Sequence, residues 1–250
     1  MNIAIIGYGK MGKEIERLAA AKGMKVVSII DREGSGAPYS EINAESMKGV
    51  DVCIDFTHPD SALGNIRKIA SHSKNMVIGT TGWYGDIHKA EEAVNKSNVG
   101  MIWSGNFSIG VNMFFRIIEN AAGMMDNFDA YDAFVHEFHH SQKADSPSGT
   151  AAMIGRILLD GIQRKKKAVH GDLNRRISPD ELHISSTRAG SIPGTHIVGF
   201  DSPADSIELK HTAKGREGFA LGALMAAEWI SGKKGIHGIK DMMDEIIGDG

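Results

Sequence analysis

The chain lacks most of the features that would tie it to a special environment. Cys53 is the one cysteine in 250 residues, so no intrachain disulfide can form and a cysteine-rich zinc site is excluded. No apolar run approaches the ~18 residues that a membrane helix needs. Neither sign of charge dominates. Lys+Arg number 28 against 31 Asp+Glu, a net −3 with histidine neutral. A dominant nucleic-acid footprint would show as a basic excess instead. Proline is scarce, at 6 residues, and there is no low-complexity tract or fixed-period repeat, so the composition is not that of a disordered or solenoid protein. The opening MNIAIIGYGK has no basic leader and too short an apolar run for a signal peptide. Together these absences read as a cytoplasmic protein.

What is present is glycine, 30 residues of it, well above the average share of roughly 7%. Such a content implies many tight turns and close backbone approaches. The length suits one large domain or two modest ones, and 42% apolar residues suffice for a core.

Strands and helices alternate through the first half. Ile3 to Ile6, Met24 to Ile30, Val50 to Phe56, Met76 to Ile78 and Val99 to Trp103 read as buried strands. Between them, Met11 to Ala21, a segment opened by Pro59-Asp60, and Asp86 to Val94 have helical spacing. This rhythm predicts an α/β fold with a Rossmann-type, doubly wound parallel sheet covered on both faces. The rhythm changes near Asn106. Ile109 to Met125 and Ser148 to Arg164 read as helices, and Phe128 to His140 as a long strand. Three further strands follow between Leu182 and His211, then a helix from Phe219 to Ser231 and a partly helical tail. The expected division is a dinucleotide-binding domain over 1–107 plus 217–250, and a C-terminal α+β domain over 108–216.

Gly7-Tyr8-Gly9-Lys10-Met11-Gly12 matches G-x-G-x-x-G. The bare pattern is weak in a glycine-rich chain; its place between a strand and a helix is what strengthens it. Gly7 would allow the tight turn, Gly9 the approach of a pyrophosphate, and Gly12 close packing of helix on strand. The helix start would hold the phosphates through its free N–H groups. Asp31 lies about twenty residues beyond Gly12, at the end of the second strand, where a carboxylate accepts from ribose hydroxyls. Arg32 follows and could pair with a 2′-phosphate. NADH and NADPH both stay open. Gly79-Thr80-Thr81-Gly82 ends another strand, where small residues would let a ribose lie against the backbone.

The densest chemistry lies at 137–150, EFHHSQKADSPSGT. Strand alternation puts Glu137 and His139 on one face, with His136, Phe138 and His140 on the other. Adjacent His139 and His140 then point apart, which makes a shared metal site unattractive, and no well-spaced third ligand follows. An acid–base reading fits better. His139 can deliver a proton near neutrality, and Glu137 can orient or charge it. Lys143 adds a positive charge, and Pro147-Ser148-Gly149-Thr150 opens a helix with hydroxyls and free N–H groups. The segment reads as a small-anion cradle beside a proton donor.

These motifs resemble the dihydrodipicolinate reductase family, enzymes of the diaminopimelate route to lysine. The likeness spans essentially the whole chain. It rests on GYGKMG, DFTHP at 55–59, GTTGW at 79–83, SGNFSIGVN at 104–112, EFHHSQKADSPSGTA at 137–151, RAGSIPGTHIV at 188–198 and the C-terminal HTAKGREGFALGALMAAEWI. The resemblance implies NAD(P)H-dependent reduction of a cyclic imine dicarboxylate to tetrahydrodipicolinate, a Rossmann domain, and a C-terminal substrate-binding and tetramerisation domain. It implies that Gly7 to Gly12, Asp31, Arg32, Gly79, Thr80, Thr81, Ser104, Gly105, Asn106 and Phe107 line the cofactor. His139 would be the general acid and Lys143 would bind substrate and assist proton delivery. His140, Ser148, Gly149 and Thr150 would hold substrate carboxylates, and no metal is implied. The chain differs from many members in its shorter first loop, in Asp31 for Glu, Phe138 for Ala, and Ser141 and Gln142 where a basic residue is common. Other two-domain dehydrogenases share the first-domain pattern but not the 137–150 segment.

Remaining features have plainer readings. Arg164 to Lys167 is expected to be a solvated basic cap at a helix end. Met124-Met125 and Met242-Met243 are expected to pack helices. Cys53 is expected to be buried, and Trp83 and Trp103 to serve packing or the cofactor equally well.

Overall fold

The computed structural model describes residues 1–248, which divide into two compact units, 1–112 with 216–248, and Met113–Gly215. In the first unit the chain runs β1 (Asn2–Ile6), α1 (Lys10–Ala19), β2 (Lys25–Ile30), β3 (Val52–Asp55), α2 (Pro59–Ser71), β4 (Asn75–Ile78), α3 (Ile87–Ser97) and β5 (Gly100–Trp103). In the second lie β6 (Asp132–His139), α5 (Gly149–Gly161), β7 (Lys167–His170), β8 (Glu181–Arg188), β9 (Thr195–Asp201) and β10 (Ser206–Thr212). The chain passes between them along α4 (Ile109–Met125) and returns to the first unit for α6 (Glu217–Ile230), β11 (Gly235–Gly238) and α7 (Ile239–Ile247).

The first unit is a six-stranded parallel sheet in the order β11-β5-β4-β3-β1-β2. Strand alternation splits its core in two. Ile3, Ile5, Ile54, Val77 and Ile102 face α1, α6 and α7, whereas Ala4, Ile6, Cys53, Met76 and Met101 face α2 and α3. A sheet buried on both faces needs such continuous apolar strands. The strand order reverses between β1 and β3, so the loops at their C-terminal ends open a crevice, the usual ligand position in such sheets.

The second unit is a five-stranded mixed sheet, β10-β9-β6-β8-β7, in which β6, β7 and β8 are parallel and β9 runs antiparallel to both its neighbours, β6 and β10. Its core joins Ala133 and Val135 of β6 to Phe114, Ile118 and Ala122 of α4 and to Ala151, Ile154 and Leu158 of α5.

Several expectations need correction. The long strand starts at Asp132, not Phe128, because 126–131 form turns. The fifth helix stops at Gly161, short of Arg164. The basic run that follows is solvated only at Lys166 and Lys167, which are exposed. Lys165 is only 2% exposed, and its ammonium reaches Pro179 O at 2.9 Å, Glu181 O at 2.7 Å and Asp132 at 2.5 Å. A long aliphatic stem lets one charge satisfy these oxygens inside the fold. Arg164 is held by Tyr131 O at 2.5 Å, and Lys167 starts a strand, β7, that periodicity missed. Also missed was β11, whose flanking glycines read as turns. Met242 and Met243 are buried in the first core, but Met124 is 61% exposed, so that pair is only half a packing feature. Cys53 is fully buried, and burial pushes its thiol up to about 12. Trp83 stacks edge-on against Tyr84 and Trp103. The tail reading extends to positions 249–250, which lie outside the described residues.

Candidate active site

The first unit presents an open crevice at the C-terminal ends of β1, β3 and β4. Gly7 turns with φ +90, and a Cβ there would lie 2.2 Å from Phe56 O. At Gly12 a Cβ would meet Gly7 O at 2.2 Å, so helix and loop are in backbone contact. Gly9, the N-cap of α1, has nothing within 4 Å of such a Cβ and makes no side-chain cap. The first turn therefore keeps free N–H groups beside open space, where helix polarity favours an anion. A cavity of about 330 Å³ is lined by Gly9, Lys10, Met11, Phe56, Thr57, Gly79, Thr80 and Thr81. The structure thus brings together the glycine loop and the 79–81 turn.

Asp31 does more than end β2. Its Oδ2 accepts from Tyr8 N–H at 2.9 Å and its Oδ1 from Arg32 N–H at 2.7 Å, so the carboxylate clips the glycine loop to β2. The Arg32 side chain is exposed. Thr80 is buried, and its hydroxyl donates to Asp55 Oδ1 at 2.7 Å while accepting Thr57 N–H at 2.7 Å. Asp55 is fully buried, and Asn65 donates to its other oxygen at 2.8 Å. Burial raises its carboxyl, against the pull of hydrogen bonds from Thr80, Thr57 and Asn65. This network ties the loops after β3 and β4 into one floor, and sequence reasoning gave Asp55 no role. Ser104 Oγ closes a turn on Asn106, with bonds of 2.9 and 3.0 Å. Gly105 is exposed, whereas Phe107 is 1% exposed and packs edge-on against Phe56, so its ring belongs to the core.

The second unit carries the charged constellation. Strand β6 buries Glu137 and His139 on one face and half-buries His136 and Phe138 on the other, as alternation predicts. Glu137 Oε2 approaches His139 Nδ1 to 3.1 Å and His196 Nε2 to 3.5 Å, as ion-pair approaches. On the opposite oxygen, Oε1 accepts from Ser148 N–H at 2.9 Å, Ser186 Oγ at 2.7 Å and Arg188 Nη2 at 2.8 Å. Burial would raise Glu137, but hydrogen bonds from His196, Ser148, Arg188 and Ser186 outweigh it and hold the carboxyl well below its ordinary range. For His139 burial wins. It brings the imidazole down to about 4, against the upward pull of Glu137, with His196, Lys143 and Arg188 adding to the fall.

Ser148 caps α5, accepting Ala151 N–H at 3.2 Å, and its hydroxyl also meets His196 Nε2 at 3.2 Å. One N–H of the expected cradle is therefore already taken by an internal carboxylate. Gly149 is exposed and Thr150 half-buried at the same helix start. Lys143 Nζ grips Asp145 at 2.8 and 3.0 Å, which lowers the Asp145 carboxyl. His140 lies half-buried just beyond the strand.

Glu137, His139 and His196 offer three ligand-type atoms within 4.8 Å of one another, a third partner the spacing did not reveal. The Arg188 guanidinium on the same carboxylate makes this an ion-pair hub rather than an inviting cation cage. Only the β6–β9 register, which sets His196 opposite Glu137, exposes it.

Residues 1–107 match the family model for the dihydrodipicolinate reductase N-terminus, and residues 110–243 match that for its C-terminus. The chain belongs to the dihydrodipicolinate reductase family. Two relatives named 4-hydroxy-tetrahydrodipicolinate reductase agree over full length. One from Christiangramia forsetii is 39% identical over 247 residues, 99% of each chain. One from Archaeoglobus fulgidus is 36% identical over 263 aligned positions, 98% of this chain and 100% of the relative. Among solved structures, the dipicolinate-bound dihydrodipicolinate reductase from Paenisporosarcina sp. TG-14 has the same fold. Its TM-score is 0.77 at 23% identity, covering 95% of this chain and 97% of that one. As a dihydrodipicolinate reductase the chain is an NAD(P)H-dependent oxidoreductase, and the open glycine loop with its uncapped helix start fits that cofactor. No helix among the described residues is long and apolar enough to cross a membrane.

Proposed function

We propose that the chain reduces the cyclic imine dicarboxylate formed from 4-hydroxy-tetrahydrodipicolinate to tetrahydrodipicolinate, in diaminopimelate and lysine biosynthesis. The observation that carries this reading is the buried Glu137–His139 pair on the strand that leads directly into Lys143 and the Ser148–Thr150 helix start. In this reading 1–107 with 217–250 binds the dinucleotide, and 108–216 binds substrate and mediates tetramerisation. In this reading the enzyme works in the cytoplasm, a compartment that regenerates the reduced dinucleotide the reaction consumes.

When bound, the reduced nicotinamide supplies the hydride. Gly9 to Gly12 would hold the pyrophosphate through free N–H groups, Asp31 would meet the ribose, and Arg32 would meet a 2′-phosphate where there is one. Thr81 and Gly105 would lie along the nicotinamide side. On the substrate, Lys143, His140 and the Gly149 and Thr150 N–H groups would bind the carboxylates. Lys143 must first leave Asp145, so substrate exchanges one carboxylate for another at the same ammonium.

His139 would then supply the proton. With Nδ1 turned to Glu137, the proton comes and goes at Nε2. An imidazole brought down to about 4 is neutral before substrate arrives. A dianion close by favours the charged form, and moves the group toward the range where it can donate near neutrality.

Purified protein should consume NADH or NADPH in the presence of the cyclic substrate. His139→Gln should lower kcat by ~10²–10⁴-fold while NADH binding, followed by fluorescence, stays as in wild type. No turnover of substrate by wild-type protein with either cofactor would refute the assignment.

A further inference from the structure

The carboxylate of Glu137 has more partners than a histidine support requires. Its residue is wholly buried in β6, flanked by β8 on one side and β9 on the other. The two oxygens divide the contacts. Oε2 faces the imidazoles of His139 and His196, at 3.1 and 3.5 Å. Oε1 takes the Ser148 N–H at 2.9 Å, together with Ser186 and Arg188. Arg188 Nη2 also donates to Asp145 O at 2.7 Å, so the loop bearing Lys143 is fastened to the same guanidinium. His196 closes the circuit by meeting Ser148 Oγ at 3.2 Å.

We infer that Glu137 is a positioning residue for two parts of the reaction centre at once: Oε2 sets the imidazole of His139, and Oε1 sets the helix start and loop that receive the substrate carboxylates. The inference rests on the reductase reading above. Glu137 touches neither substrate nor cofactor in that reading; it acts through His139 and Ser148. A carboxylate beside Nδ1 keeps a proton there and leaves Nε2 for exchange. The groups facing His139 are Glu137 on its own strand, His196 on β9, Arg188 on β8 and Lys143 on the following loop. Of these four, Glu137 alone favours the imidazolium form. Removing its charge leaves neighbours that all oppose protonation.

Glu137→Gln tests this, since it keeps the size and an acceptor oxygen but removes the charge. The expected result is a kcat lower by about 10–100-fold, the scale lost when the carboxylate that orients a metal-bound imidazole is removed. The KM for the dicarboxylate should rise, and binding of pyridine-2,6-dicarboxylate, measured by calorimetry, should weaken with it. The alkaline limb of the kcat–pH profile should move to lower pH, while the NADH dissociation constant stays unchanged. His139→Gln should lower kcat without raising KM. An active wild type whose Glu137→Gln variant keeps its kcat, its KM or its pH profile overturns the inference and leaves the reductase reading standing. Wild-type protein that reduces nothing overturns both. Should Glu137→Gln fail to fold, Ser186→Ala removes one donor from Oε1 and keeps the charge. It should raise KM by about 3- to 10-fold, the worth of one hydrogen bond, with kcat nearly intact; an unchanged KM overturns the inference.

Discussion

Gly194 lies against the ring of His139, and its backbone, at φ +146, is one that other residues rarely adopt. A Cβ at this position would come within 2.9 Å of His139 Nε2, the nitrogen through which a proton would pass. Gly194→Ala should therefore displace or block the imidazole. The expected outcome is a kcat at least 10-fold lower, an energy of about 1.4 kcal/mol in the barrier, with NADH affinity unchanged. Steady-state kinetics beside a fluorescence titration checks it, and wild-type turnover would show that the ring has room to give. At this scale the sequence was a partial guide. The residue types at 137–150 carry the proposal of proton transfer and anion binding because imidazole, ammonium and a hydroxyl-capped helix start lie so close in sequence. Arg188, Gly194 and His196 sit in RAGSIPGTHIV, which marked the family but carried no chemistry of its own. Their meaning comes from lying beside β6.

Among the elements, the junction of β1 with α1 carries the clearest consequence. Loop and helix touch through backbone at Gly12, whose added Cβ would meet Gly7 O at 2.2 Å. A methyl group there must push α1 away from the loop, because a carbonyl cannot rotate aside as a flexible side chain can. Gly12→Ala should weaken NADH binding by more than 10-fold and leave the fold of the second unit intact. Fluorescence titration with circular dichroism tests this, and an unaltered dissociation constant would remove the loop from the cofactor site. Periodicity located most elements, since apolar strands and amphipathic helices advertise themselves. It failed at β7 and β11. Both are four residues long, one carrying lysine and histidine and the other bounded by glycine. Each is a strand only because a formed edge, β8 or β5, offers it hydrogen bonds.

For the molecule as a whole, acid stability follows from Glu181. Both its oxygens pair with Arg175, at 2.7 and 2.8 Å, and Ser178 N–H and Lys167 add to them. The Arg175 hydrogen bonds, followed by that from Ser178, bring the carboxyl down to about 2. An unfolded glutamate titrates near ~4.3. Because the folded value is the lower one, the stabilisation is complete above about pH 4.3 and is lost as pH falls toward 2. Glu181→Gln should thus lower the melting temperature at neutral pH and make it fall less steeply between about pH 4.5 and 2. Thermal unfolding across that range provides the measurement, and parallel curves for the two proteins would remove Glu181 as a cause.

From its amino acids alone, this chain was bound to be an α/β protein with a glycine loop and a segment in which imidazole, ammonium and a hydroxyl-capped helix start lie close together. Those properties are local: they depend on side-chain period, turn chemistry and residue type within a few positions. Which strands are neighbours is not local. Strand register set His196 and Arg188 around Glu137, sheet order placed Asp55 beneath Thr80, and folding drew Lys165 inside among backbone oxygens. A buried charge keeps its ionisation only through such partners, and pairing across the chain is what tertiary structure alone decides.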